Sequence, residues 1–191
     1  MGSIIKVNEY KDFNNNDIIT SDGAGAITLS SGMNTAVAEG TNNTPAFSAC
    51  LNATQTISDA TWTKVQCGRE IYDGQSTYDA STNYRFTPNS TGYYLINAGT
   101  TLQCTANTIV DSYLAIYVNG VWNGGAISEC YGNDSSKETW RQHNLNVIIH
   151  ADNTSDYYEL YAYADPTSGS VNISGNSDSQ GTWFNAIKLL T

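Results

Sequence analysis

His143 and His150 are the only histidines of the chain, and eighteen carboxylates surround them in sequence. His150 and Asp152 lie two residues apart, so an extended backbone sets both on one face, where a carboxylate can orient an imidazole. No nucleophile elbow or other partner motif accompanies them, and polar residues at a strand end account for the pair. Asp73 with Asp79, and Asp152 with Asp156, are the carboxylate pairs that glycoside hydrolysis would require. A chain with net charge −10 places such acids in its loops without catalysis, so the reading is non-enzymatic. Asp111, Asp152, Asp156 and Asp165 fall near strand ends, where clustered carboxylates would attract calcium and be relieved of their repulsion. No EF-hand loop is present, so solvated acids are the simpler reading and no cofactor is expected. Cys50, Cys67, Cys104 and Cys130 are widely spaced, without a Cys-x-x-Cys pair, and two histidines complete no zinc pattern. Small buried thiols are expected, with two disulfides in any of three connectivities as the alternative. Trp122, Trp140 and Tyr131, each near an asparagine, offer ring faces and amides to a glycan unless they pack under loops.

The elements that must position these groups follow from composition. Asn, Thr and Ser supply 62 of 191 residues, charged residues only 14%, and aromatics 11%, with 13 tyrosines. Such a chain lacks the Ala, Leu, Glu and Lys faces of a helical bundle and fits a hydrogen-bond-rich all-β protein. Eight Lys and Arg against eighteen Asp and Glu cannot form the basic stripe that tracks a phosphate backbone, which excludes a nucleic-acid partner. No run approaches the roughly 18 apolar residues of a membrane span, so no membrane insertion is expected. The first nine residues show neither a long apolar run nor a small-residue cleavage site, and read as no secretion signal. Lys6 and Val7 do not complete a myristoylation motif after Gly2.

Two regions differ in pattern. Residues 1–44 carry short apolar groups, Ile4, Ile5 and Val7, then Ile18 and Ile19, then Ile27 and Leu29. Asn14-Asn15-Asn16-Asp17 and Ser21-Asp22-Gly23-Ala24-Gly25 separate these groups with turn chemistry. This is too little apolar surface to repay chain ordering in isolation, so the segment is expected to be disordered alone, or ordered against other subunits or another protein, as a candidate anchor. Residues 45–191 instead show strand runs: 46–53, 62–67, 84–87, 93–103, 113–118, 144–149, 157–163 and 183–190. Tyr93–Gln103 reads as a strand covered on both sides. Leu114, Ile116 and Val118 alternate with Tyr113 and Tyr117 before the hairpin signal Asn119-Gly120. Tyr158, Leu160 and Ala162 oppose Tyr157, Glu159, Tyr161 and Tyr163. Phe47, Phe86, Tyr94, Ile96, Leu114, Ile116 and Leu160 are the expected core. No segment sustains a helical period, and eight to ten short strands between turns predict an antiparallel sandwich, with jelly roll the leading topology.

Pro45-Ala46-Phe47-Ser48-Ala49, Tyr72-Asp73, Tyr78-Asp79, Tyr84-Arg85-Phe86-Thr87-Pro88, Gly92-Tyr93-Tyr94, the run Ser112 to Gly120, and Thr182-Trp183-Phe184-Asn185-Ala186 follow in order. Together they resemble the globular heads of the complement and tumour-necrosis-factor-like jelly-roll superfamily over about residues 45–191, most specifically from Tyr78 to Tyr94. The resemblance implies a jelly roll of about ten strands assembling as a homotrimer, with Tyr113, Tyr117, Tyr161, Tyr163, Trp183 and Phe184 as subunit contacts. Some members of that superfamily bind calcium near the trimer top through loop oxygens, which makes Asp111, Asp152, Asp156 and Asp165 the candidates here, although no cofactor is expected. The collagen stalk of the complement proteins is absent, since the chain has 3 Pro and no Gly-x-y repeat.

The N-terminal residues, Ile5-Lys6-Val7-Asn8 and Ile18-Ile19-Thr20-Ser21-Asp22-Gly23-Ala24-Gly25-Ala26-Ile27-Thr28-Leu29, resemble the N-termini of bacteriophage structural proteins. The combined expectation is a virion protein made in the host cytoplasm. A trimeric knob would be attached through the extended arm to other virion proteins of the capsid, tail or fibre, with a host surface glycan or receptor as a further partner. The alternative is a complement-head-like lectin module of a cellular organism that binds glycans or proteins.

Overall fold

The computed structural model describes residues 9–22, 24, 27–29, 44–104, 108–132, 138–178 and 180–189. Among them every regular element is a strand. By its contacts the chain divides into two units, one holding the described residues up to Leu29 and the other those from Thr44 to Leu189.

The first unit is an antiparallel meander of β1 (Glu9–Lys11), β2 (Asp17–Ser21) and β3 (Ile27–Leu29). Its first turn is built as the Asn run predicts. The Asp12 carboxylate accepts from the backbone N–H of Asn14 and Asn16, both at 2.9 Å, and Asn15 takes the left-handed conformation that Asn tolerates (φ 65°). Lys11 pairs with Glu9 and Asp17. No described residue of this unit is buried, and Tyr10, Phe13 and Ile27 stand open to solvent.

The second unit stacks two sheets. Its strands are β4 (Ala46–Cys50), β5 (Gln55–Ser58), β6 (Thr63–Lys64), β7 (Arg69–Asp73), β8 (Tyr78–Asp79), β9 (Arg85–Phe86) and β10 (Gly92–Gln103). They continue with β11 (Ile109–Val118), β12 (Val121–Tyr131), β13 (Trp140–Ala151), β14 (Tyr158–Pro166), β15 (Ser170–Ile173) and β16 (Trp183–Lys188). In the first sheet β10 pairs with β13 along its whole length. On its other edge β10 meets β16 and then β15, which extend the sheet to β4 and β7 and to β5. The second sheet runs β12-β11-β14-β9-β8, with β6 beside β14. All pairings are antiparallel and most neighbours are distant in sequence, which is the jelly-roll pattern the sequence predicts.

Period-two alternation decides what lies between the sheets. From β10 come Tyr94, Ile96, Ala98 and Leu102, from β11 Leu114 and Ile116, and from β14 Tyr158, Leu160 and Ala162, all fully buried. Phe47 holds the centre of one end, stacked on Tyr78 at 4.5 Å and Phe86 at 4.7 Å between ring centroids, with Phe184 edge-on at 5.0 Å. Asn119 and Gly120 both carry positive φ, 54° and 76°, as a type I′ hairpin demands.

Several boundaries depart from the expectation. The second unit has thirteen strands rather than about ten, the excess being pieces of two to four residues. The run 62–67 shrinks to β6. Tyr84 has a positive φ of 49° and precedes β9, so the run 84–87 is a strand only at Arg85 and Phe86. Tyr93–Gln103 is covered fully on one side only, since Tyr93 remains 45% exposed on the other.

Candidate functional site

The outer face of the second sheet carries an aromatic platform. Registers place Tyr113 between Glu129 on β12 and Tyr163 on β14, and Ala115 between Ile127 and Tyr161. Tyr117 lies between Trp122 and Glu159, and Asp111 between Tyr131 and Asp165. Residues facing one another across a ladder share a face, so these rings crowd around Ala115, which is itself fully buried. Trp62, just before β6, closes over the middle. Its ring centroid lies 5.9 Å from Tyr113, 5.9 Å from Tyr117 and 5.4 Å from Tyr163. Tyr117 stacks on Tyr161 at 4.0 Å, and Tyr131 meets Tyr113 edge-on at 5.6 Å.

Between Trp62 and the β12 strand a cleft of about 390 Å³ remains, lined by Trp62, Tyr113, Tyr163, Trp122, Tyr131 and Glu129 with Tyr117 and Ile127. A register shift lies beside it: β12 places four residues between Trp122 and Ile127 where β11 places one between Ala115 and Tyr117. The Tyr131 hydroxyl donates to Glu129 Oε2 at 3.2 Å. Loss of water contact first, then the Tyr131 hydroxyl and the charges of Asp111 and Glu129, push the Tyr113 phenol well above its ordinary value. Burial and then Asp165 and Asp111 raise Tyr163 in the same way. The platform therefore offers neutral hydroxyls beside carboxylates. At its lower edge Lys64 Nζ donates to the buried Glu159 carboxylate at 2.5 Å and lies 5.9 Å from the Tyr161 ring centre.

The outer face of the first sheet is different. Trp183 lies flat across Gly99 and donates its indole N–H to Asn97 Oδ1 at 2.7 Å, while Asn97 Nδ2 donates to Asn146 Oδ1 at 2.6 Å. Beyond this amide ladder, toward Gly92, Tyr93 packs on His150 at 4.5 Å, and Ile148 is 60% exposed. Tyr72 on β7 is also exposed, opposite Ser48.

A third polar group lies sealed between the sheets, and sequence reasoning passed over it. His143 is 2% exposed; its Nε2 is 2.9 Å from Ser112 Oγ and its Nδ1 3.1 Å from Ser128 Oγ. Burial, and then the Arg141 charge, lower its pKa to about 4, so the imidazole is neutral at pH 7. Arg141 is anchored by Glu138 through Nε at 2.9 Å and by the carbonyls of Val110 and Cys130. A serine beside a histidine here has no route to substrate, and the cluster satisfies polar groups rather than performing acyl transfer. The available signal was parity: residue 143 shares the inward phase of Leu145 and Ile149.

The sequence candidates separate as follows. Tyr113, Tyr117, Tyr161 and Tyr163 share one surface, but Trp183 lies on the other sheet and Phe184 is a core residue. The six expected trimer contacts therefore do not share one face of the subunit, and Phe184 is sealed in the core, because adjacent strand residues point to opposite faces. The seven expected core residues Phe47, Phe86, Tyr94, Ile96, Leu114, Ile116 and Leu160 are all buried. Of the expected anchors, Ile4, Ile5 and Val7 lie outside the described residues, Ile18 and Leu29 are half-buried, and Ile19 and Ile27 are exposed.

The four calcium candidates split between opposite ends of β14. Asp111 faces Asp165 at one end, while at the other Asp152 holds His150 Nδ1 at 2.7 Å and Asp156 accepts from Asn119 Nδ2 and the Asn153 N–H. No single ion can collect all four, which overturns that grouping, and no set of three or more metal-binding side chains occurs among the described residues. Asp73 and Asp79 are spent on loops. Asp73 accepts from the Tyr78 N–H at 2.7 Å, and Asp79 from the N–H groups of Ser81, Thr82 and Asn83, which hold its carboxyl well below the usual range. Trp122 and Tyr131 both line the aromatic cleft, whereas Trp140 stands exposed on the other sheet. The thiols of Cys50, Cys67 and Cys104 are buried, Cys130 is half-buried, and none is bridged.

No family model matches the sequence, and no curated protein matches it either. In structure the chain is similar to murine APRIL at pH 5.0, with a TM-score of 0.52 and 13% identity over 75% of this chain and 99% of that one. It is also similar to the Eiger tumour necrosis factor of S. frugiperda, with a TM-score of 0.49 and 10% identity over 75% and 91% of the two chains. Sheet order, the two-layer core and the APRIL likeness agree on the architecture: the chain folds as a tumour-necrosis-factor-like jelly roll.

Proposed function

We propose that this chain is a non-enzymatic structural protein of a phage particle, a homotrimeric jelly-roll knob carried on the capsid, tail or fibre by its N-terminal segment. The observation that carries the reading is the three-stranded N-terminal sheet. None of its described residues is fully buried, and it presents Tyr10, Phe13 and Ile27, side chains that gain free energy when another surface covers them. The phage-like residue pattern of the same segment supports the particle as that surface. Trimer formation draws support from the outer face of the first sheet, where Tyr93, Ile148 and Tyr72 are exposed beside the half-buried Leu95 and Ile187. Copies of the same chain are the proposed cover for this face.

Deletion of residues 1–44 tests the attachment. The truncated chain is expected to remain folded and trimeric and to lose co-sedimentation with particles; attachment that survives the deletion overturns the anchor. The aromatic cleft favours a second reading, a glycan- or protein-binding module of a cellular organism. Binding of the isolated trimer to a glycan, with no association to any particle, distinguishes it.

A further inference from the structure

The geometry points to a saccharide-binding site for neutral, hydroxyl-rich sugars in the cleft between Trp62 and β12. This inference deepens the binding-module reading and holds whether or not the chain rides on a virion.

Ring surface, hydroxyls and charge each narrow the ligand. Trp122 is 51% and Tyr131 65% exposed, so two ring faces remain free beside the half-buried Trp62, Tyr113 and Tyr163. The C–H face of a pyranose covers such rings while its rim hydroxyls turn outward. At the rim stand the phenol hydroxyls and the Glu129 carboxylate, which has acceptor capacity beyond the Tyr131 bond. The volume of about 390 Å³ falls within the roughly 300–1,000 Å³ of small-ligand sites.

No Lys, Arg or His lines the cleft, while Glu129 lines it and Asp111 and Asp165 flank it on the neighbouring register row. A sulfated, phosphorylated or sialylated sugar would meet only like charge there. Trp62, Tyr113 and Tyr163 touch one another, with centroids 5.2–5.9 Å apart, and leave no ring-walled box for a quaternary ammonium group. What remains is an open strip along β11 and β12, a shape suited to one or more sugar rings laid lengthwise.

Titration of the full-length protein with neutral oligosaccharides, among them lactose, cellobiose and chitobiose, with sialyllactose and choline as contrasts, tests the site through tryptophan fluorescence and saturation-transfer NMR. At least one neutral sugar is expected to bind, with transfer strongest at its ring C–H protons, and both contrasts to fail. Trp122→Ala and Glu129→Gln alter exposed side chains, so melting temperature should hold while affinity falls at least about tenfold for the first variant. Preferential binding of choline or sialyllactose, binding unaffected by Trp122→Ala, or no binding by any neutral sugar each overturns the proposal.

Discussion

Trp183 Nε1 donates to Asn97 Oδ1 at 2.7 Å because nothing but hydrogen stands on Gly99 beneath the indole. Gly99 and Trp183 are direct partners across β10 and β16, and a Cβ at residue 99 would coincide with the six-membered ring. The glycine is thus required by a side chain rather than by backbone conformation. Gly99→Val is expected to eject the indole, break the Asn97 bond and destabilise the fold by about 2 kcal/mol. Denaturant unfolding measures the loss. An unchanged midpoint, together with an unchanged Trp183 indole NMR signal, would show that the ring does not rest there.

The sealed His143 makes stability depend on pH in a definite direction. Its pKa falls from 6.5 to about 4, so between those values the unfolded chain binds a proton that the folded chain refuses. Stability is complete above about pH 6.5 and drains away as pH falls toward 4, by on the order of 3 kcal/mol from this residue. His143→Gln keeps a polar side chain against Ser112 and Ser128 and removes the titration. The variant should lose part of its stability at pH 7 yet show a flatter slope from pH 6.5 to 4. A parallel slope in the two proteins would assign the acid sensitivity elsewhere.

Glu159 is 4% exposed and takes its charge compensation from Lys64 at 2.5 Å. Lys64→Met leaves a carboxylate buried without that partner, a change that costs about 3 kcal/mol, whereas the double variant with Glu159→Gln should recover most of it. Thermal melts of the two single variants and the double variant form the cycle. Additive losses would mean that the pair is not coupled.

Where alternation is strict, the sequence reads directly into the fold. Tyr94 and Ile96, Leu114 and Ile116, and Tyr158, Leu160 and Ala162 are inward in the sequence pattern and inward in the sandwich, because a one-residue slip would expose every one of them. The same rule separates Trp183 from Phe184, and grouping the two as one contact surface ignored it. β7 escaped notice since its burial does not alternate: Glu70, Ile71 and Tyr72 are all exposed around a bulge against β4. The aromatic cleft was legible only in fragments. Tyr113 and Tyr117 announce a common face, but Trp62 joins them from about fifty residues away, and the register shift of β12 beside the cleft is marked only by Gly124-Gly125, a pair the strand reading passed over.

The cysteines give a direct test of the core. Cys50, Cys67 and Cys104 are sealed, and burial pushes the Cys67 thiol far up, which suppresses the reactive thiolate. A thiol reagent applied to native protein at pH 8 should therefore modify Cys130 first and alone, with all four cysteines reacting after denaturation. Rapid reaction of two or more cysteines in the native state would contradict the sandwich packing around β4 and β10.

Assembly through the first sheet makes the sharpest claim about surface chemistry. Ile148 on β13 faces Leu95 across the β10–β13 ladder, one step along the outer face from the Tyr93–His150 stack, and no described element covers it. A carboxylate placed there would stay solvated in a single copy but would lose its water in the proposed threefold contact, with like charges brought together from three chains. Ile148→Glu is expected to leave the fold and melting profile of the monomer intact while shifting sedimentation from a trimer to a single chain. Glu129→Lys, on the opposite face of the sandwich, should leave the trimer unchanged. Were Ile148→Glu to sediment as a trimer and Glu129→Lys as a monomer, the tyrosine face of the second sheet would be the one that meets its copies, and the sugar cleft would have to be given up along with it.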